Sequence, residues 1–268
     1  MLCYAFATMF ARGPILSRRE QLAVLTALCV GAWGKNALAF GQAGIFRVRQ
    51  MKLGSQAPDP VRESAASRWA WELIRRTSAP ARLEGCTIQA KSNQLLDEPF
   101  VVWSGLDDPG HLSPDERRSL DRFLRLGGLL LVDDSNPASG GFGKGARREL
   151  SRLLPDSPVQ VLGGQHVILK SFYMLARPVG RMVGSSRLEA IVRGNLAQIL
   201  FLDCDLMGAL ATLPQGSWAL PVQGGDTQQR EYAIRLAVNI AMYLLCSDYK
   251  DDQVHAAWLM RHRQTSSR

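Results

Sequence analysis

Cysteine is scarce in this 268-residue chain, five in all. None stands in a C-x-x-C pair, so neither a zinc ribbon nor a thiol redox motif is written in the spacing. Histidine is scarcer, with four, and no H-E-x-x-H pair marks a zinc hydrolase. No apolar run reaches the roughly 18–20 residues that a membrane-spanning helix needs. No G-x-S-x-G or G-x-C-x-G turn presents a nucleophile at a strand–helix junction. Internal repeats and low-complexity stretches are missing too. What is present is ordinary: 46% hydrophobic and 21% charged residues, the composition of a globular chain.

The formal charge is +8. Part of the excess lies in the first 39 residues, where Arg12, Arg18, Arg19 and Lys35 face only Glu20; the remainder carries 28 basic against 23 acidic side chains. No basic stripe is interleaved with aromatics, so a nucleic-acid partner is not expected. Ser17-Arg18-Arg19 precedes an apolar segment from Ala23 to Trp33 and then Ala37-Leu38-Ala39. Twin arginine, short apolar segment and A-x-A site together predict a twin-arginine-type signal peptide over residues 1–39, with Met9 as a second start. The expected address is periplasmic, with no membrane span in the mature chain. Cys86, Cys204 and Cys246 then remain; Cys204 and Cys246, in Leu-rich surroundings, read as small core residues. An oxidising compartment would allow one disulfide, and the spacing does not choose its pair.

From Ala43 onward strands and helices alternate. Ile45 to Leu53 reads as a strand, with Phe46, Val48 and Gln50 on one side and Arg47 and Arg49 on the other. A helix to Arg76 follows Pro58-Asp59-Pro60, with Val61, Ala65, Ala66, Trp69 and Leu73 on one stripe. Trp69 and Trp71 cannot share that face. A short strand near Thr87–Ala90 comes next. Phe100–Trp103 and Leu129–Val132 are apolar enough for buried strands. Between them Ser113-Pro114-Asp115-Glu116 announces a helix with a capping box. A Gly-rich loop, Ser139 to Gly145, leads to a helix from Ala146 to Leu154. Val159–Leu162 and Val167–Leu169 read as strands, Leu188–Val192 and Gln198–Leu202 as a hairpin or two neighbouring strands around Gly194-Asn195. The last helix, Thr227 to Leu245, aligns Ala233, Leu236, Ala237, Ile240, Ala241 and Leu244. The expected architecture is a single α/β domain over residues 40–250, with a mostly parallel central sheet flanked by helices, then a basic tail at 251–268.

Chemistry is expected at strand ends. Asp107-Asp108 follow Trp103, Asp133-Asp134 follow Val132, and Asp203 and Asp205 follow Leu202. In a mostly parallel sheet these ends share one edge, where a ligand crevice forms. The candidate ligand-binding residues are Asp107, Asp108, His111, Asp133, Asp134, Ser135 and Asp205, with His166 as an outlying neighbour. Such carboxylates could hold a divalent cation or polarise a hydroxyl; equally, Asp after a strand commonly makes local turn and cap hydrogen bonds. The Gly-rich loop is not a Walker A motif, since Gly145 replaces the Ser/Thr after Lys144. It reads as a flexible surface loop.

A series of segments now bears on kinship: Phe100-Val-Val-Trp-Ser-Gly, Leu112-Ser-Pro-Asp-Glu, Gly127-Gly-Leu-Leu-Leu-Val-Asp-Asp134, Arg147-Arg-Glu-Leu150, Asp205-Leu-Met-Gly-Ala209, and a final helix with Val238-Asn239. In this order they resemble the bacterial domain-of-unknown-function family 4159, and the ending Asp248 to His255 is similar to its exported stand-alone branch. The resemblance implies a glutamine-amidotransferase-like (flavodoxin-like) fold lacking the catalytic cysteine. It also implies a cell-envelope setting beside MoxR-type ATPases and von Willebrand A-domain proteins, and maps the family's Asp-Asp pair onto Asp133-Asp134. The usual His-Pro before its aromatic strand is here His166-Val167. The function expected is a non-catalytic ligand- or partner-binding domain without a cofactor. The alternatives are a metal-dependent hydrolase using the same carboxylates and a structural subunit recruited through the tail.

Overall fold

The computed structural model describes residues 45–54, 59–194, 196–225 and 227–250, with side chains to Cys246. The expected leader at 1–39 and tail at 251–268 lie outside the described residues. Seven strands form one sheet: β1 (Arg49–Lys52), β2 (Cys86–Gln89), β3 (Phe100–Gly105), β4 (Leu129–Asp134), β5 (Val159–Leu162), β6 (Leu188–Arg193) and β7 (Leu196–Leu202), in the order β2-β1-β3-β4-β7-β6-β5. The first five in that order run parallel, while β6 lies antiparallel to β7 and β5 antiparallel to β6. The expected α/β architecture with a mostly parallel sheet is therefore observed. The chain leaves β1 toward β2 and later leaves β3 toward β4, so the winding reverses between β1 and β3. That reversal, at the carboxyl ends of the strands, is where such sheets open a crevice.

Helices cover both faces. On one lie α1 (Ala65–Thr77), the short α4 (Leu206–Leu210) and α5 (Thr227–Lys250). They pack Trp69, Leu73, Met207, Ala233 and Ile240 against Val102, Leu131 and Leu200. On the other lie α2 (Pro114–Arg125) and α3 (Gly141–Leu153), burying Leu120, Phe123, Phe142 and Leu150 against Val101, Trp103, Val132 and Phe201. Each such valine, leucine, isoleucine, methionine or phenylalanine, fully buried, contributes about 1.5–3 kcal/mol by transfer from water. The α2 start is the expected capping box: the Glu116 amide donates to Ser113 Oγ and the Ser113 amide to Glu116 Oε2. Glu116 Oε1 also accepts from the Gly54 amide at 3.0 Å, tying the end of β1 to this helix.

Five expectations change. The helix after Pro60 is broken into a 3-10 turn, Pro60–Arg62, and α1; Val61 is exposed and Arg62 turns inward. Arg49 is buried, because backbone carbonyls of Gln94, Leu95, Glu98 and Phe100 take its donors. Most of the Gly-rich segment is already helix, starting at Gly141. Val167–Leu169 is a 3-10 turn capped by His166, whose ring nitrogen faces the Ile168 amide at 3.3 Å. Cys246 is exposed rather than core, and it, Cys86 and Cys204 are free thiols. Trp69 is core and Trp71 exposed, the division that their spacing requires.

Candidate functional site

The strand register sets the site. Ser104 pairs with Asp133, Gly105 with Asp134, and Asp133 with Leu202. Successive residues of a strand point to opposite faces, so the Asp133-Asp134 pair is split by the sheet itself. Asp133 faces α4, and Asp134 faces α3.

On the α4 face, Asp133 is fully buried, its two oxygens accepting the Leu206 amide at 2.8 Å and the Met207 amide at 2.7 Å. Asp205 stands at the corner between β7 and α4 in the left-handed backbone region (φ 54°) and caps α4 by accepting the Gly208 amide at 2.9 Å. Any side chain at 208 would collide with that carboxylate, which accounts for the glycine in Asp205-Leu-Met-Gly-Ala209. Two arginines converge on Asp205. Arg62 contacts both oxygens, Nε to Oδ1 at 2.9 Å and Nη2 to Oδ2 at 2.8 Å, and Arg181 Nε also donates to Oδ2. Arg62 is held in turn by Asp59, and its carbonyl accepts from Gln50 Nε2. Burial, with the Asp205 charge added, pushes the Asp133 carboxyl well above the usual range. Burial works against the Arg62 cation, and Asp205 more than offsets it.

On the α3 face, Asp134 accepts the amides of Asn136 (2.9 Å) and Gly143 (3.0 Å). The Gly143 amide, a donor at the start of α3 that could help cradle an external anion, thus serves a resident one. A Cβ at residue 143 would lie 2.7 Å from Asp134 Oδ2, so the glycine run reflects close packing of a helix on a carboxylate rather than a flexible loop. Burial raises the Asp134 pKa against the pull of those two amides. Asp203 is bound by both terminal nitrogens of Arg147, which also holds Glu189.

Asp108 and His111 bond other partners, on the α3 side. Asp108 pairs with Arg148 and accepts the Gly110 amide; its carboxyl is lowered to about 2 by Arg148 first and Gly110 next. His111 contacts buried Glu149, a hub that also takes the Leu112 amide, Arg148 and Arg152. Asp107 is exposed. Ser135 is buried beside the end of β3, its amide donating to Gly105 O, and its hydroxyl has no hydrogen-bond partner among the described residues. Gln50 Oε1 is likewise buried and unpartnered.

The structure therefore brings Asp133 and Asp205 together, sends Asp134 to the opposite face, and ties Asp108 and His111 to Arg148 and Glu149 of α3. Among the described residues, no three His, Cys, Asp or Glu side chains are placed to hold a metal ion. Sequence reasoning missed Arg62, Arg181 and Gln50. Gln50 left a signal, a polar residue in the apolar column of Phe46 and Val48; nothing local marks the two arginines as partners of an aspartate far along the chain.

Comparison with curated proteins finds no match for this chain. The family model described as domain of unknown function DUF4159 matches residues 47–245, from the start of the sheet to the end of the buried part of α5. On a match of that extent, the chain belongs to the DUF4159 family.

Proposed function

We propose that the chain is a non-catalytic binding domain exported to the cell envelope, and that its ligand seats at the strand ends on the Asp133–Asp205 face. The observation that carries this reading is the buried Ser135 hydroxyl, which has no partner among the described residues and belongs to the residue just after the Asp134 carbonyl that accepts the Asp205 amide. A buried polar group left unmatched costs about 1–3 kcal/mol, and a ligand acceptor or donor would recover it. The unpartnered Gln50 oxygen, on a side chain that also holds the Arg62 turn, supports the same location. A small polar ligand fits this chemistry better than a bare cation, which would have to displace Arg62 and Arg181 from Asp205.

The metal-dependent hydrolase is the weaker alternative for that reason: its ligands and base would have to be carboxylates that amides and guanidinium groups already occupy. Export rests on the Arg18-Arg19 leader, and an association with MoxR-type ATPases and von Willebrand A-domain proteins rests on the family resemblance. The test is native mass spectrometry of protein purified from periplasm. A bound small molecule present in the wild type and lost from Ser135→Val, with the melting temperature unchanged or raised, is the expected result. Wild-type protein carrying nothing, or Ser135→Val carrying the same adduct, would overturn the assignment.

A further inference from the structure

A second feature uses other residues. Along α1 and across to α5, five side chains alternate: Arg75, Trp71, Arg68, Trp218, Arg230. Arg75 lies 5.0 Å from the Trp71 ring centre, Arg68 4.5 Å from Trp71 and 4.4 Å from Trp218, and Arg230 4.4 Å from Trp218. Stacking occupies the flat faces of the guanidinium groups and leaves their N–H edges for other partners: Arg68 gives two nitrogens to Glu72, Arg230 turns to backbone carbonyls, and Arg75 is exposed. The ladder borders a groove of about 590 Å³ lined by Arg68, Arg75, Arg76 and Arg230 against only Glu72 and Glu231. Its apolar floor includes Leu220, Val222 and Ile234.

The charges do not cancel. Glu72 is shared by Arg68 and Arg76, and Glu231 by Arg76 and Arg235. Exposed Arg75 makes no ion pair among the described residues. Arg230, buried at the first turns of α5, donates to the carbonyls of Ala209 and Leu220 and makes no ion pair among the described residues. Burial, then the nearby cations Arg181 and Arg68, depress its pKa. Trp71 and Trp218 stay 39% and 36% exposed, large areas for rings whose partners are all cationic.

We propose that this groove docks an acidic peptide segment of a protein partner, with an apolar residue flanked by carboxylates. Arg68 and Arg75 are separated by about 10 Å along the helix axis, too far for one inorganic anion to bridge. In an extended chain, alternate residues point the same way and residues i and i+4 lie about 13 Å apart. A Glu-x-Leu-x-Glu pattern therefore sets two carboxylates over the arginines and one apolar side chain over the floor.

The probe is acetyl-Glu-Ser-Leu-Ser-Glu-amide, titrated into the full chain and followed by tryptophan emission, with the Lys-for-Glu peptide and a carboxylated oligosaccharide as comparisons. The acidic peptide should bind saturably, more weakly as salt is raised, and about tenfold more weakly to Arg75→Glu. That variant should melt with the wild type, since Arg75 is exposed and makes no ion pair among the described residues; Arg75→Ala serves if it does not. Equal binding of the Lys peptide, an unaltered titration with either variant, or tighter binding of the oligosaccharide would each overturn the proposal, the last in favour of a glycan site.

Discussion

Asp205 and Arg62, 143 residues apart, form a two-point ion pair in which both side chains are buried. The pair joins the turn after β1 to the corner after β7, so it spans the β1, β3 and β4 ends between them. Arg181 adds a second cation from a third segment. Removing the carboxylate charge leaves buried Arg62 with Asp59 alone and takes the carboxylate from half-buried Arg181. Asp205→Asn keeps a residue suited to the left-handed backbone and should still cost about 3–5 kcal/mol of stability. Urea denaturation measures it, and Arg62→Met combined with Asp205→Asn should cost less than the sum of the two single changes. A denaturation midpoint for Asp205→Asn equal to wild type would contradict this role.

Gly143 lies within α3, where alanine ordinarily stabilises a helix by about 1 kcal/mol. Here the sign reverses. The new methyl carbon would sit 2.7 Å from Asp134 Oδ2 and 3.0 Å from Arg147 Nη1, and the helix would have to shift off its capping carboxylate. Gly143→Ala should destabilise by about 1–3 kcal/mol. Gly141→Ala, whose nearest contact is the Asp108 amide nitrogen at 3.4 Å, should stay within about 0.5 kcal/mol of wild type. Thermal melts of the two variants distinguish packing from propensity; equal effects would refute the packing account.

These two cases show what was legible in the sequence. Periodicity and caps are local, so the α2 capping box, the β3 and β4 strands and the α5 stripe could be read directly. Pairings such as Arg62 with Asp205 are set by the sheet order and leave no trace in spacing. The Asp133-Asp134 pair was visible as chemistry, but adjacency in a strand places the two on opposite faces, so a doublet in sequence is two separate environments in space. Gly141, Gly143 and Gly145 looked like a loop because glycine usually breaks helices. Here Gly143 permits a close approach that alanine would block.

Glu149 should carry much of the acid sensitivity of the α2–α3 junction. Burial acts upward on its carboxyl, and the Leu112 amide, Arg148, His111 and Arg152 outweigh it, holding it at about 2 against 4.5. A carboxyl lowered in the folded state contributes stability that is complete above the unfolded value and is lost as pH falls through the folded one. The loss therefore runs from about pH 4.5 down to about 2. Asp133 and Asp134, raised on folding, act oppositely and subtract stability as pH climbs past the usual carboxylate range. Glu149→Gln should lower stability at neutral pH by about 1–3 kcal/mol and flatten the fall between pH 4.5 and 2. Parallel stability curves for variant and wild type over that window would show that Glu149 is not responsible.

Asn239 anchors the segment leading from β5 to β6. It is fully buried in α5, where its Oδ1 accepts the Phe172 amide at 3.2 Å and the Tyr173 amide at 2.7 Å and its Nδ2 donates to the Tyr173 carbonyl at 2.8 Å. Its own carbonyl accepts the Ser171 hydroxyl at 2.7 Å. One side chain thus satisfies three backbone groups of a stretch that belongs to neither helix nor strand. Asn239→Leu fills the same space but matches none of them, and should cost about 2–3 kcal/mol. Because the lost bonds are local, the Phe172 and Tyr173 amides should exchange with solvent about tenfold or more faster, beyond what the global loss explains. The Leu131 amide in β4 should follow global stability alone. Hydrogen exchange resolved by residue separates the two effects, and protection persisting at Phe172 and Tyr173 in the variant would mean that something other than Asn239 holds the segment.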